Sequence, residues 1–383
     1  MKYKLGECIE EIVDKTTKNN QYEVLSVTKD GIYSQEEFFK KQIASEDNTG
    51  YKIIRKNNLV FSTMNLWMGS LDVLSNYEIG IVSPAYKIFK FDESKMIPSF
   101  GKYFMKSHFM LEQYKDCSEQ GASVVRRNLD LKQLLDTEII IPKVEEQCKI
   151  VKILENIDEI INKYTNLIRN KDQFIKSQFV EMFEKDITVK KTTVNNVADI
   201  YLGLTYTPKY TETGIPFLSS KNISSQKLDL EDIKYISQEE YDNATNNAKP
   251  INGDILFSRV GSNLGNPTIF ETNIKCAIFV SLGYLRIKNI NEFDNVFVRD
   301  WMKSDNFWHQ VFNKVSGGAK QNLNTNWLKN FEIPNPSLEK QIKYKNIVQL
   351  IDKQKFELEK QKQNYIDLKK GLMQQLLTGK LKV

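Results

Sequence analysis

Histidine is almost absent from this sequence, which has only His108 and His309 in 383 residues. Two imidazole side chains leave little room for acid–base or metal chemistry that depends on histidine, and we expect both to be structural. Cysteine is scarce as well, and the four cysteines form no C-x-x-C pair and lie near neither histidine at zinc-finger spacing: Cys8, Cys117, Cys148 and Cys276. This pattern predicts free thiols in a reducing compartment and no metal site.

Long apolar runs and catalytic motifs are also missing. No hydrophobic stretch is long enough to span a membrane and the N-terminus has no apolar signal core, so we expect a cytoplasmic protein. The sequence has no G-x-G-x-x-G motif and no Walker lysine loop, and spaced carboxylates followed by a Glu-x-Lys nuclease core are not evident. Asn266-Pro267-Thr268 lacks the second proline of an N6-adenine methyltransferase motif. These absences predict a chain without catalytic residues of its own.

Neither sign of charge dominates the sequence. Lysine and arginine number 54 against 49 acidic residues, which gives a net charge of +5. This mildly basic balance suits a nucleic-acid partner, but many soluble proteins share it. Charge alone therefore leaves the partner open.

What the sequence does contain is a repeat that spans about half its length. Val82-Ser83-x-x-Tyr86 returns 198 residues later as Val280-Ser281-x-x-Tyr284, and Met105-Lys106-Ser107 returns 197 residues later as Met302-Lys303-Ser304. After a short slip the offset settles at 194 residues, which relates Asn128-Leu129 to Asn322-Leu323, Pro142 to Pro336, Glu145 to Glu339, Gln147 to Gln341, Ile157 to Ile351 and Asp158 to Asp352. A repeat of this length indicates two copies of a whole domain with its following helix.

Each copy ends in a segment with a heptad pattern, which is typical of helices that wrap a partner helix. The first segment is 145–183, with apolar residues at Ile150, Leu154, Ile157, Ile161, Tyr164, Ile168 and Ile175. The second is 338–377, with Tyr344, Ile351, Leu358, Tyr365 and Leu372 seven residues apart. Each predicted helix has about 38 residues and is roughly 55–60 Å long. We expect an antiparallel pair that separates two globular domains, with ordinary core helices of larger domains as the alternative.

The globular segments are predicted to be mixed α/β. Strands are expected at Leu59–Ser62, 79–89 and 138–141 in the first copy and at Ile255–Ser258, 277–287 and 331–333 in the second, with one short helix after the long strand of each copy, at 100–114 and 296–312. The predicted class is therefore α+β: two similar mixed domains separated by an antiparallel coiled coil, with pseudo-two-fold internal symmetry. The predicted bounds are 1–142 and 187–336 for the domains and 143–186 and 337–383 for the helices.

The paired segments that end each domain and begin each helix resemble the DNA-specificity subunit of type I restriction–modification systems. These are Asn128-Leu129 with 138–142 and Glu145-Glu146-Gln147, and Asn322-Leu323 with 332–336 and Leu338-Glu339-Lys340-Gln341; Leu376-Leu377-Thr378-Gly379-Lys380 is also typical of the family. The second copy departs from the family pattern at Lys340 and at Tyr344-Lys345, which puts the details of subunit contacts in doubt.

The resemblance implies two target-recognition domains, each of which reads half of a split, asymmetric DNA site, at a spacing fixed by the coiled coil. It also implies that the chain has no catalysis of its own and assembles with methyltransferase subunits and, in some systems, restriction subunits. S-adenosylmethionine, Mg and ATP are then expected only on those partners, and no cofactor is expected on this chain.

Loop residues suited to DNA contact follow from side-chain chemistry, because arginine pairs with guanine, asparagine with adenine, and lysine mainly with phosphates. The predicted DNA-binding residues are Asn65, Arg126, Arg127, Lys221, Asn222, Arg259, Asn263, Lys320 and Asn322. For each of them the alternative is an ordinary surface or turn residue. The predicted partner-binding residues flank the heptad seam, with a wider coiled-coil core as the alternative: Phe174, Phe179, Phe183, Leu368 and Met373.

Two other functions remain open at this point. One is a coiled-coil scaffold with two protein-binding domains, and the other is a fused methyltransferase or nuclease. The missing motifs argue against the enzyme. A salt-dependent, sequence-selective DNA complex distinguishes a DNA reader from the scaffold.

Overall fold

The computed structural model describes residues 1–38, 46–120, 127–223, 227–260, 264–314 and 322–381. The chain divides into two compact units, one formed by residues 1–165 with 359–383 and the other by residues 166–358. Among the described residues, no helix has both the length and the hydropathy to cross a membrane.

Both units contain the same four-stranded antiparallel sheet, which supports the internal repeat. In the first unit the strand order is Ile9–Glu11, Tyr86–Phe91, Leu59–Ser62 and Leu71–Val73. In the second unit the order is Ala198–Leu202, Leu282–Ile287, Ile255–Ser258 and Thr268–Ile269. A second ladder is also repeated, between Lys2–Lys4 and Glu138–Ile140 and between Lys190–Thr193 and Glu332–Asn335. The spacing of the sequence repeat therefore corresponds to a repeat of topology.

The remaining strands differ between the units. The first unit has three antiparallel pairs, which are Leu25–Val27 with Ile32–Ser34, Lys52–Arg55 with Ile79–Val82, and Ser118–Gln120 with Arg127–Leu129. The second unit has one more four-stranded sheet, in the order Tyr210–Thr211, Lys234–Ile236, Ile215–Leu218 and Ala277–Ile278. The two units thus share the four-stranded sheet and the second ladder, and they differ in the other strands.

Short helices lie at matching positions in the two units. The first unit has helices at Gln35–Phe38, Pro98–Phe104, His108–Asp116 and Leu131–Leu135, with 3₁₀ turns at Leu5–Glu7 and Leu66–Met68. The second unit has helices at Val194–Val197, Gln238–Asn243, Asn295–Trp301, Asp305–Lys314 and Thr325–Lys329, with 3₁₀ turns at Ser220–Ile223 and Asn246–Ala248. His108 and His309 are both exposed on such helices.

Two sequence predictions of continuous elements were wrong. The strand expected at 79–89 is two strands in different sheets, Ile79–Val82 and Tyr86–Phe91, and the strand expected at 277–287 is divided in the same way. In the first unit, Pro84 lies in the turn between the strands and has no N–H to donate to a ladder. The two expected short helices are each a pair of helices that divide at Ser107 and Ser304.

Ser107 caps the start of the helix His108–Asp116, because its hydroxyl accepts the N–H of Met110 at 3.3 Å. Ser107→Ala removes this cap and is expected to lower the free energy of unfolding by about 0.5–2 kcal/mol in a denaturant titration. Ser177→Ala is the matched control, because that hydroxyl donates to the carbonyl of Phe174 inside a long helix and its loss is neutral or slightly stabilising. Equal effects of the two substitutions would contradict the capping role.

The two long helices are Val144–Phe179, which we call the first long helix, and Leu338–Leu376, the second long helix. The first continues into a π-helical turn at Val180–Glu184. In the first unit the ring centroids of Tyr164 and Tyr365 lie 5.8 Å apart, with the rings tilted by 32°. In the second unit Lys171 donates to Gln354 at 2.6 Å and Lys355 pairs with Asp172. Residues with higher numbers in the first long helix contact residues with lower numbers in the second, so the two helices pack antiparallel. This confirms the predicted coiled coil.

In both long helices, the residues at the heptad positions are buried or half-buried. Ile150, Leu154 and Ile157 are buried, and their neighbours at 155, 156 and 159 are exposed. Each unit also uses turns of both helices in its core. The first-unit core contains Ile150, Leu154 and Leu376, and the second-unit core contains Phe179, Tyr344 and Val348.

Candidate nucleic-acid interface

In the first unit, two segments distant in sequence meet after the central strand Leu59–Ser62. The chain turns at Asn65 into the 3₁₀ turn Leu66–Met68, which ends at Gly69 with φ of 82°. Arg127 begins the strand Arg127–Leu129, and its backbone N–H donates to the carbonyl of Met64 at 3.2 Å. We call this meeting point the first-unit junction.

The side chain of Arg127 lies over Trp67, with the guanidinium carbon 4.3 Å from the ring centroid. Its Nε atom is buried and has no hydrogen-bond partner within the described structure. Stacking of this kind holds the planar guanidinium in place, because the indole face attracts a cation. The face of the Arg127 guanidinium therefore packs on the indole ring. In this geometry the N–H groups at the edge of a guanidinium can donate to a carboxylate, a phosphate or a guanine.

The second unit has a junction at the corresponding place, after the central strand Ile255–Ser258. Arg259 follows this strand, and its backbone carbonyl accepts the N–H of Leu323 at 2.9 Å. Val260 and Asn322 form an antiparallel bridge. Met64 and Val260 each lie two residues after the matched serines Ser62 and Ser258, so the two junctions are equivalent.

A hydrogen bond to a backbone carbonyl also holds the second-unit arginine. Nη1 of Arg259 donates to the carbonyl of Val280 at 3.1 Å, and Nε is buried without a hydrogen-bond partner in the described residues. Burial lowers the pKa of Arg259 from its ordinary value. An arginine remains charged in a protein all the same, so this cation is partly desolvated and lacks a described carboxylate partner.

Ser281 connects the second-unit junction to the turn that carries Lys221. Its carbonyl accepts the N–H of Arg259 at 2.9 Å, and its hydroxyl accepts the N–H of Ser220 at 3.1 Å. Lys221 and Asn322 are both exposed. The structure therefore brings together three of the predicted DNA-binding residues, Lys221, Arg259 and Asn322, in the second unit, and Asn65 with Arg127 in the first.

Asn222 is a correction to the predicted set. Its side chain is 4% exposed, and its Oδ1 accepts the N–H of Ser219 at 2.8 Å. Its Nδ2 donates to the carbonyls of Asp229 and Asp232, both at 3.2 Å. Both amide hydrogens are used inside the turn, so Asn222 shapes the loop and has no donor left for a base. Arg126, Asn263 and Lys320 lie outside the described residues.

Most of the predicted partner-binding residues are also corrected. Phe179 and Phe183 are each 2% exposed and pack against Phe297 and Tyr344 in the second-unit core. Met373 is partly buried against the first-unit core. For Phe179, Phe183 and Met373 the alternative of a wider coiled-coil core applies, because these parts of the long helices pack into the cores of the two units. Phe174 and Leu368 are 44% and 48% exposed and remain free to meet a partner.

Two residues of the junctions were not predicted. Trp67 supports Arg127, and Ser281 joins the segments of the second unit. Ser281 could have been found, because it belongs to the repeated Val-Ser-x-x-Tyr pattern. Trp67 lies in a loop whose sequence differs between the two copies, and only the fold shows which arginine it meets. Among the described residues, no group of three or more His, Cys, Asp and Glu side chains could hold a metal ion.

Comparison with known proteins shows which family the first part of the chain resembles. Residues 6–171 match the family described as type I restriction modification DNA specificity domain. This part of the chain is similar to that domain. The resemblance stated from the sequence is therefore confirmed, and the matched specificity domain covers the first-unit junction and most of the first long helix.

Individual relatives agree with this assignment. The chain is 23% identical over 302 residues to the type I restriction enzyme MjaVIII specificity subunit of Methanocaldococcus jannaschii, and the alignment covers 73% of this chain and 70% of the relative. A solved structure concerned with complex assembly and conformational transition of the type I R-M system aligns over 100% of this chain and 98% of that one, with a TM-score of 0.59 and 15% identity. The S subunit from M. genitalium aligns over 98% of this chain and 96% of that one, with a TM-score of 0.50 and 15% identity. At these identities the two structures establish the shared fold.

Proposed function

We propose that this chain is the DNA-recognition subunit of a type I restriction–modification complex and that each unit reads one part of a two-part DNA site. One observation carries the proposal. Each unit places an arginine, whose Nε has no hydrogen-bond partner among the described residues, at an equivalent junction. The junction is formed by the turn after the central strand and the segment that contains the matched Asn-Leu pair. An incomplete hydrogen-bond set on a held, partly buried cation is what an anionic or guanine-bearing ligand completes.

The two arginines come from opposite sides of their junctions. Arg127 belongs to the later segment of the first unit, and Arg259 to the earlier segment of the second unit. The shared frame holds the cation at similar places, whereas the neighbouring side chains differ, with Trp67 in one unit and Lys221 and Asn322 in the other. Two readers of this kind suit an asymmetric site whose halves have different sequences.

The chain is proposed to lack catalysis and cofactors of its own and to act in the cytoplasm. Methylation would be performed by methyltransferase subunits, which would bind S-adenosylmethionine, and restriction subunits would bring Mg and ATP. Phe174 and Leu368, exposed on the long helices, are proposed contacts for the methyltransferase subunits. Absence of S-adenosylmethionine binding by the purified chain would support this division of labour.

The decisive experiment is to map methylated sites in a genome that expresses this chain with its methyltransferase subunits. The expected result is a single two-part motif with a spacer of fixed length and unspecified sequence. One heptad is then deleted from each long helix, residues 161–167 and 361–367, which contain the facing Tyr164 and Tyr365 and leave the proposed contact Leu368 in place. Removal of seven helical residues shortens the pair by about 10 Å, or roughly 3 base pairs at 34 Å per DNA turn, so the spacer should shorten by about that amount.

The control for the deletion is the identity of the two half-sites, which should not change because both junctions are intact. A deletion variant that keeps the original spacer would contradict the proposed role of the helices. A wild-type map without any two-part motif would contradict the proposed function itself.

A further inference from the structure

The first turn of each long helix carries a glutamine with no exposed surface. Gln147 and Gln341 are both 0% exposed, and they are matched residues of the sequence repeat. A buried primary amide must find partners for two donors and an acceptor, or it destabilises the fold.

The two glutamines make the same three hydrogen bonds. Oε1 of Gln147 accepts the N–H of Ile97 at 3.0 Å, and its Nε2 donates to the carbonyls of Lys95 at 2.6 Å and Pro142 at 3.0 Å. Oε1 of Gln341 accepts the N–H of Asp294 at 2.9 Å, and its Nε2 donates to the carbonyls of Glu292 at 2.9 Å and Pro336 at 3.0 Å. We call each set a glutamine clamp.

Each glutamine clamp joins three parts of its unit. Ile97 and Asp294 are the residues that precede the short helices Pro98–Phe104 and Asn295–Trp301. Pro142 and Pro336 come just before the long helices, after the ladder strands Glu138–Ile140 and Glu332–Asn335. Since all hydrogen-bonding groups of the amide are used on backbone atoms, the long helix can leave its unit in only one direction without breaking them.

A second contact, further along the helices, restrains the same direction in each unit. In the first unit the hydroxyl of Tyr103 donates to Asp158 at 2.8 Å, and Lys369 pairs with the same carboxylate at 2.5 Å. In the second unit the hydroxyl of Tyr344 donates to Asp300 at 3.0 Å, and Lys345 pairs with Asp294 at 2.7 Å.

Two of the departures of the second copy from the family pattern, Tyr344 and Lys345, form this second contact. The other departure, Lys340, pairs separately with Asp186 at 2.6 Å. The glutamine clamp is common to both units, whereas the second contact is built from different residues in each. Two restrained points on a helix define its direction, and one point alone would leave it free to tilt.

We infer that Gln147 and Gln341 are positioning residues, which fix the direction of each DNA-reading unit on its long helix and thereby make the complex accept only one spacer length. This inference rests on the proposed function. It assigns to the clamps a role in the accuracy of spacing and none in the reading of bases, because neither glutamine lies at a junction.

The test uses the full chain in complex with its methyltransferase subunits. Gln147→Met and Gln341→Met keep the length of the side chain and remove the three hydrogen bonds. Methylation is measured on DNA duplexes that contain both correct half-sites with the natural spacer or with one base pair more or less. Gln173→Met and Gln349→Met, at exposed glutamines of the same two helices, are the matched controls.

The expected result is that methylation of the altered spacers, relative to the natural spacer, rises about tenfold in each clamp variant and stays unchanged in the controls. Half-site sequence preference should not change. If the clamp variants only methylate all duplexes more slowly, the glutamines support the fold and the inference is overturned. If the wild-type complex shows no spacer preference, the proposed function fails instead.

A second measurement keeps the inference testable if the methionine variants do not fold. In the full wild-type chain, the amides of Ile97 and Asp294 donate to the two glutamine side chains. Their hydrogen exchange should be as slow as that of central-strand amides such as Leu59 and Ile255. Fast exchange at Ile97 and Asp294 would show that the clamps open freely and would overturn the inference.

Discussion

Arg259→Ala is expected to relax the reading of one base pair in one half of the DNA site and to leave the other half unchanged. The physical reason is that a guanidinium offers two parallel donors to the O6 and N7 atoms of guanine, and alanine offers none. Discrimination at that position should fall by about 1–3 kcal/mol. Arg127→Ala should relax one position in the other half-site by a similar amount. The measurement is the methylated motif of each variant complex, supported by DNA binding to single-base variants of the site.

Lysine variants separate base contacts from phosphate contacts. Arg259→Lys and Arg127→Lys keep the positive charge but lose the planar fork, so a base contact is lost and a phosphate contact is largely kept. Arg169→Ala, at an exposed arginine of the first long helix, is the control and should leave the motif unchanged. If Arg259→Ala weakens binding equally on all sequences, the residue contacts phosphate and the assignment to base reading is wrong.

Asp300→Ala is expected to lower the free energy of unfolding by about 3–5 kcal/mol, since it removes the acidic member of a buried ionic group. Asp300 is 5% exposed. Arg299 donates to its two oxygens at 2.8 Å each, Lys303 lies 3.4 Å away, and Tyr344 of the second long helix donates at 3.0 Å. Without the carboxylate, two cations remain close together in the second unit with little solvent to stabilise them. Denaturant titration of the full chain measures the effect.

The acid side of the stability curve gives an independent check of Asp300. Burial by itself raises the pKa of this carboxyl, but Arg299, Lys303 and Tyr344 more than offset it and the pKa is lowered. The group therefore adds stability that is fully present above its unfolded-state pKa of about 3.9 and is lost as the pH falls toward the lower folded-state value. Asp300→Asn should flatten this part of the curve.

Asp242→Ala is the matched control for Asp300, because Asp242 is exposed and accepts only a hydrogen bond from Gln238. Its effect should lie within about 0.5 kcal/mol. A similarly small effect for Asp300→Ala would mean that the ionic group contributes nothing net to the second unit.

Several structural features were predictable from residue patterns. The strands Leu59–Ser62 and Ile255–Ser258 were correctly bounded, because apolar runs with turn residues on both sides are a strong local signal. The covered faces of the long helices followed from their heptads. Residue patterns did not predict the strand boundaries at 79–89 and 277–287, where one run of strand-forming residues divides into two strands that belong to different sheets. They also failed at Ser107 and Ser304, whose capping role depends on the turn that the backbone adopts.

Prediction of the DNA-binding and partner-binding residues was less successful, for a related reason. Side-chain type suggested Arg127 and Arg259, but it suggested Asn222 equally, whose amide is used inside its own turn. Phe174 and Phe179 are five residues apart on one helix, and one is exposed while the other is in the core. Composition reports what a side chain can bind, whereas burial decides whether it is free to do so.

The sequence by itself determined the duplication, the two long helices and the family resemblance, because these depend on spacing along the chain and on hydrophobic periodicity. Only the tertiary structure decided that Arg127 meets Trp67, that Arg259 meets Leu323, and that Gln147 and Gln341 tie each helix to its unit. Those contacts join residues tens of positions apart, and each depends on where the packed sheets and helices bring the backbone. Pairings of this kind leave no periodic signal in a single chain.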